Sequence, residues 1–251
     1  MKRTLILLSA LLFVAVAIAP ADVLPPGYIP KWSQAPDMNL GTDYLSMHRA
    51  NGPVVVDDFQ SDGRIILGYK WWGSYLAGAG DPNLAPGAQR QLSFEVSKHP
   101  DVPADPNIPG SFSQPGQPYQ FQVLNAWESF FGTTTGGERV YEYWALLPQP
   151  WTEIAGDIYW FDVAYNIGSN PNADWGWHES WQHNLDFAVT TNQVGAGGNP
   201  HTGTWKLVGD GQRDMAFEVL TAVPEPSSIL LFGTVLGGAG WLARRKARQR
   251  G

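Results

Sequence analysis

The sequence predicts an all-β fold: an antiparallel β-sandwich of jelly-roll type with about nine strands, flanked by an N-terminal signal peptide and a C-terminal membrane helix. Three observations carry this expectation. Short runs alternate between apolar and polar residues, the period of a half-buried strand. The 28 Gly and 20 Pro punctuate the chain too often for long helices. No stretch has the 3.6-residue periodicity of an amphipathic helix.

Taken in order, the strands are Val54–Phe59, Arg64–Tyr75, Gln91–Val96, Tyr119–Leu124, Arg139–Leu147, Asp157–Tyr165, Leu185–Val189, Thr204–Val208 and Met215–Leu220. Alternation puts Leu92, Phe94 and Val96 on one buried face, and likewise Tyr119, Phe121 and Val123, and Leu185, Phe187 and Val189. Met215, Phe217 and Val219 are expected near the N-terminal strands, bringing the ends of the domain together. Pro25 to Leu40 reads as an extended arm on the surface. Pro100 to Pro118 reads as a long surface loop rather than a domain boundary.

Two signals frame this domain. Lys2 and Arg3 precede an apolar run from Leu5 to Ile18, and Ala19-Pro20-Ala21 fits small-x-small cleavage, so residues 1–21 are expected to be a signal peptide. The secreted β-domain then spans residues 22–222. Near the other end, Ser227 to Ala243 carry no charge. A 17-residue helix is roughly 25 Å long, within the range of about 17–25 residues that spans a bilayer. Trp241 suits the interface, and Arg244, Arg245, Lys246, Arg248 and Arg250 favour the cytoplasmic side.

Directly before that run stand Pro224, Glu225 and Pro226. Pro-Glu-Pro, a short apolar helix at 227–243 and an Arg-rich end together resemble the PEP-CTERM sorting tail, over residues 223–251. The resemblance implies an exosortase-type processing enzyme as partner. It also implies transit through the inner membrane of a Gram-negative-type bacterium that makes exopolysaccharide, followed by residence at the cell surface or in the extracellular matrix. Within the domain, "KWSQAPDM", "VVVDDF", "KWWGSY", "GDIYWFDVAY", "DWGWHES" and "DMAFEVL" occur in that order. They resemble a poorly characterised secreted Trp-rich domain often attached to such tails, which brings no activity with it.

The charge balance points the same way. Two of the 16 Lys+Arg lie in the leader and five in the tail, leaving nine against 23 Asp+Glu for residues 22–226, a net charge of −14. Such a surface repels nucleic acid and anionic lipid, so neither is an expected partner of the exported part. There is no cysteine, so the core alone must hold the fold. Eleven of the twelve Trp lie in the exported part, and each aromatic buries about 150–250 Å².

Several residue groups are candidates for function. Trp175, Trp177 and Trp181, spaced two and four apart, could share one face and stack on sugar rings, with Asp174, Glu179 and Gln182 for the hydroxyls; the competing reading is core packing. Trp71, Trp72 and Tyr75 form a second such group. Asp57, Asp58 and Asp62 surround a turn and could offer oxygen ligands to Ca²⁺, against ordinary turn capping. No cofactor is required. His178, Glu179 and His183 lack the i, i+4 spacing of a helical zinc site and would need a further ligand such as His201. No catalytic residue is assigned. The expected role is a non-catalytic structural or glycan-binding component linked to exopolysaccharide. The alternative is a secreted carbohydrate-active enzyme using two carboxylates from Glu142, Glu153, Asp162, Glu179 and Glu218, which would have to face each other at about 5–10 Å.

Overall fold

Period-two alternation marks most of the long strands. The computed structural model describes residues 26–48, 52–118, 120–166, 172–191 and 204–223. Among them are fourteen strands: β1 (Tyr28–Gln34), β2 (Asp43–Leu45), β3 (Met47–His48), β4 (Val54–Gln60), β5 (Ile66–Tyr75), β6 (Gln89–Val102), β7 (Gln114–Pro115), β8 (Gln120–Thr133), β9 (Arg139–Trp151), β10 (Ile158–Asn166), β11 (Trp175–His178), β12 (Val189–Thr191), β13 (Lys206–Leu207) and β14 (Phe217–Ala222). Eight of the nine expected strands are present; of the ninth, Leu185–Val189, only Val189 is in a strand, β12, and β1, β2, β3, β7 and β11 are additional. A single 3-10 turn, Leu76–Gly78, is the one helical element among the described residues. No helix there is long and apolar enough to cross a membrane. The expected signal peptide (1–21) and membrane helix (227–243) lie outside the described residues.

The strands form a continuous sheet in the order β1-β14-β5-β9-β8-β6-β10-β4-β12-β13, antiparallel at each step. The sheet curls until its halves face each other as the layers of a sandwich. Three strands separate β5 from β10, yet Tyr69 stacks on Phe161 with ring centroids 3.9 Å apart and planes 9° apart. Phe59 of β4 meets Phe217 of β14 edge-on at 6.2 Å, and Trp71 of β5 meets Phe94 of β6 at 5.1 Å. Such aromatic pairs add about 0.5–1.5 kcal/mol each beyond area burial, which suits a domain without disulfides.

The ends of the domain pair as expected. Tyr28 lies opposite Ala222 and Gln34 opposite Phe217. The segment read as a surface arm is therefore an edge strand, with Pro30 at a register shift where an edge tolerates it. Three further expectations are corrected. On β8 the core face carries Leu124, Ala126 and Glu128, whereas Phe121 and Val123 point out, 42% and 50% exposed; Tyr119 lies outside the described residues. Leu185 and Phe187 are also exposed. Leu185 has φ +61°, and the backbone there turns so that Asn184 and Asp186 donate N–H bonds to the carboxyls of Asp214 and Asp58. Finally, β6 runs to Val102 and pairs with β7, which shortens the expected loop to residues 103–113.

Candidate functional site

The expected Trp platform is not a platform. Strand β11 sits inside the curl, paired with β2 on one edge and β5 on the other. Trp175 and Trp177 both point inward and are fully buried. Trp175 packs edge-on against Phe94 and Tyr143, and Trp177 against Phe161 and Phe217. The Trp177 Nε1–H donates to the Ala216 carbonyl at 2.9 Å. Gly73, opposite Trp177, makes room: a Cβ there would lie 2.3 Å from the Trp175 ring. Trp181 stands apart on a turn, 62% exposed. Trp71, Trp72 and Tyr75 are buried too.

The calcium trio does not converge either. Asp57 and Asp58 are consecutive on β4, so their side chains leave opposite faces. Asp57 Oδ2 accepts from the Met215 N–H (2.7 Å) and Gln34 Nε2 (3.0 Å). Asp58 Oδ2 accepts from the Asp186 N–H. Both are buried, and burial is the largest cause of their raised pKa values: Asp57 well above the usual carboxylate range, Asp58 up to about 8. Asp62 lies beyond the strand on the surface, bound by Arg64 Nε at 2.6 Å and by Lys31 at 3.5 Å. Its partial burial would raise its pKa, but these cations outweigh that and lower it.

Each of the carboxylates considered for glycoside hydrolysis is engaged within the fold. Glu142 pairs with Lys70 (3.2 Å), Glu153 with Lys31, Asp162 with His99 Nε2 (2.7 Å) and Glu179 with Arg213 (2.5 Å). Glu218 accepts from Ser33 Oγ.

One group the chain order hides is brought together. His178 on β11 lies opposite Asp43 on β2. Its Nδ1 is 3.1 Å from Asp43 Oδ1, and its Nε2–H donates to the Asp37 carbonyl at 3.0 Å. Glu138, at the β8–β9 hairpin, completes the group and accepts from Ser74 Oγ at 2.9 Å. The three offer ligand atoms within 4.8 Å of one another, the one such group among the described residues. Burial, followed by the neighbouring Asp43, pushes Glu138 up to about 7. Burial would lower the pKa of His178, but the Asp43 carboxylate reverses this and raises it. Neither Glu179 nor His183 takes part. His183 is half-exposed and faces Asp214 at 3.7 Å.

A second feature escaped the sequence reading. Trp127 of β8 and Trp144 of β9 lie directly opposite each other on the outer face, rings 6.3 Å apart and inclined by 31°. Both are half-buried, and on the same face the exposed Phe121, Val123 and Leu146 continue the strip. Gln91 and Asn125, both exposed, border it. A shallow open groove lined by Gln120, Gln122, Pro148, Gln149 and Pro150 lies at its end.

Comparison with known proteins gives a family. A model described as a domain of unknown function (DUF7901) matches residues 30–220. The chain belongs to the DUF7901 family. A second model, the PEP-CTERM protein-sorting motif, matches residues 222–246. No curated protein and no solved structure matches the chain. In this DUF7901 domain the short motifs quoted from the sequence are core pieces. Asp57-Asp58-Phe59 lie on β4, Trp72-Gly73-Ser74 on β5, Ile158-Tyr159-Trp160 on β10 and Gly176-Trp177 on β11. The sorting residues Pro224, Glu225 and Pro226, and the basic Arg244, Arg245 and Lys246, lie outside the described residues.

Proposed function

We propose that this protein is a non-catalytic, glycan-binding component of an exopolysaccharide-containing surface matrix. Its PEP-CTERM motif makes it an exported protein that an exosortase recognises at the membrane. In this reading the helix 227–243 holds the precursor in the inner membrane until it is processed, and the β-domain then stays at the cell surface.

The observation that carries the binding role is the outer strip of β8 and β9. Paired, half-exposed Trp127 and Trp144 offer ring faces on a rigid pair of strands. Rings of this kind stack on the apolar faces of pyranoses, while Gln91 and Asn125 can bond hydroxyls. Strand placement fixes the rings without an ordering cost, which favours affinity. The non-catalytic part of the proposal is supported by the engagement of all five candidate carboxylates with other groups of the fold.

Affinity electrophoresis of the protein in gels containing the producer's own polysaccharide tests this. Wild type is expected to be retarded, and Trp127→Ala and Trp144→Ala to migrate freely while melting within a few degrees of wild type. Equal retardation of both variants, or none for wild type, would refute it.

A further inference from the structure

We infer that Asp43, Glu138 and His178 form a binding site for one divalent transition-metal ion of the zinc class. The argument starts from an unmet demand. The Asp43 side chain is fully buried, and its Oδ2 has no hydrogen-bond donor. It stands beside Glu138, another carboxylate, so two acceptor groups share one corner of the fold. Something positive must lie between them, either a proton or a metal ion.

The imidazole is arranged for the metal. Its Nε2–H is committed to the Asp37 carbonyl, which fixes the ring and leaves Nδ1 directed at the carboxylates. Ligating histidines characteristically use the other ring nitrogen in this way. The backbone is shaped around the group. A Cβ at Gly41 would lie 2.9 Å from His178 Nε2, and one at Gly176 would lie 2.7 Å from the Asp43 Cβ. Ser74 orients Glu138 from behind. One imidazole and two carboxylates suit zinc or its neighbours better than calcium, which prefers oxygen alone. Two negative charges balance a dication, and Glu138, half-buried, leaves a solvent-facing position for water. Binding replaces whatever proton the ligand atoms carry, and that proton passes to the buffer.

Isothermal titration of the tag-free, EDTA-stripped full chain with Zn²⁺ at pH 7.5 tests the site. We expect one Zn²⁺ per chain. Glu138→Gln keeps the acceptor for Ser74 and should weaken binding at least tenfold at an unchanged circular dichroism spectrum. His183→Ala, on the exposed imidazole, should bind as wild type. No binding by wild type, full affinity in Glu138→Gln, or loss in His183→Ala would each overturn the inference. The first would leave the shared proton as occupant.

Discussion

Replacing Asp58 with Asn should flatten the pH dependence of stability. Asp58 is buried on β4, and burial, with Asp186, Asp214 and Asp101 nearby, pushes its pKa up to about 8. In the unfolded chain an aspartate titrates near about 3.9. Between these values the folded state holds a proton that the unfolded state has lost. Stability from this group is therefore full below about pH 4 and is lost as pH rises towards 8. One retained proton gives a slope of about 1.4 kcal/mol per pH unit, or about 3 kcal/mol from pH 5 to pH 7. That is a large part of the ~5–15 kcal/mol that holds a typical domain. Asn cannot ionise, so the variant loses this contribution, while the proton taken up by Asp214, whose pKa burial first and Asp186 next raise to about 6, remains in both proteins. Urea unfolding followed by Trp fluorescence at pH 5, 6 and 7 measures both slopes in metal-free buffer. The wild-type slope should exceed that of Asp58→Asn by at least about 1 kcal/mol per pH unit. Equal slopes, or a steeper one in the variant, would show that Asp58 is ionised in the fold and that the reasoning is wrong.

Two other expectations test the core and the address. Trp175→Ala removes a fully buried ring and should cost roughly 3–5 kcal/mol, lowering the melting temperature by about 10 °C, whereas Trp181→Ala should cost under about 0.5 kcal/mol. A Trp175→Ala melt within 2 °C of wild type would contradict its place in the core. Glu225→Ala should leave unprocessed precursor in the membrane fraction; a mature product of normal size and amount on an immunoblot would show that Glu225 is not part of the sorting signal.

Most of the longer strands were legible because a half-buried strand imposes alternation on its sequence, but Leu185–Val189 alternates too and is turning backbone up to Val189, where the main chain bonds to Asp58 and Asp214 instead of a neighbouring strand. The short β2, β3, β7 and β11 are too brief to show any period, and Pro30 disguises β1. The face of β8 was misread because its outer side also carries apolar residues, Phe121 and Val123. That same feature is the clue to the Trp127–Trp144 strip. The Gly136-Gly137 turn announces the β8–β9 hairpin, but a register shift between Phe130 and Gly132 sets which residues finally meet. Trp175 and Trp177 sit among polar neighbours and so looked like loop residues, although the strand threads the interior. Asp57 and Asp58 read as turn carboxylates open to Ca²⁺, because no sequence pattern distinguishes a buried carboxyl from a solvated one. The Asp43–His178 contact joins residues 135 positions apart and becomes visible only once β2 and β11 are paired.

The closing strand and the sorting signal share a residue: β14 ends at Ala222, where the PEP-CTERM match begins. There is thus no slack between cargo and address. Any pull on the tail acts directly on a strand hydrogen-bonded to β1 on one side and β5 on the other, with the Val223 N–H also held by the Gly27 carbonyl. The same pairing joins the two ends of the domain. Strand β1 comes from its start, and β14, the neighbour of β1 among the described strands, comes from its end. This edge of the sheet can therefore close only around a complete domain, and a chain cut short before β14 would leave β1 without its partner.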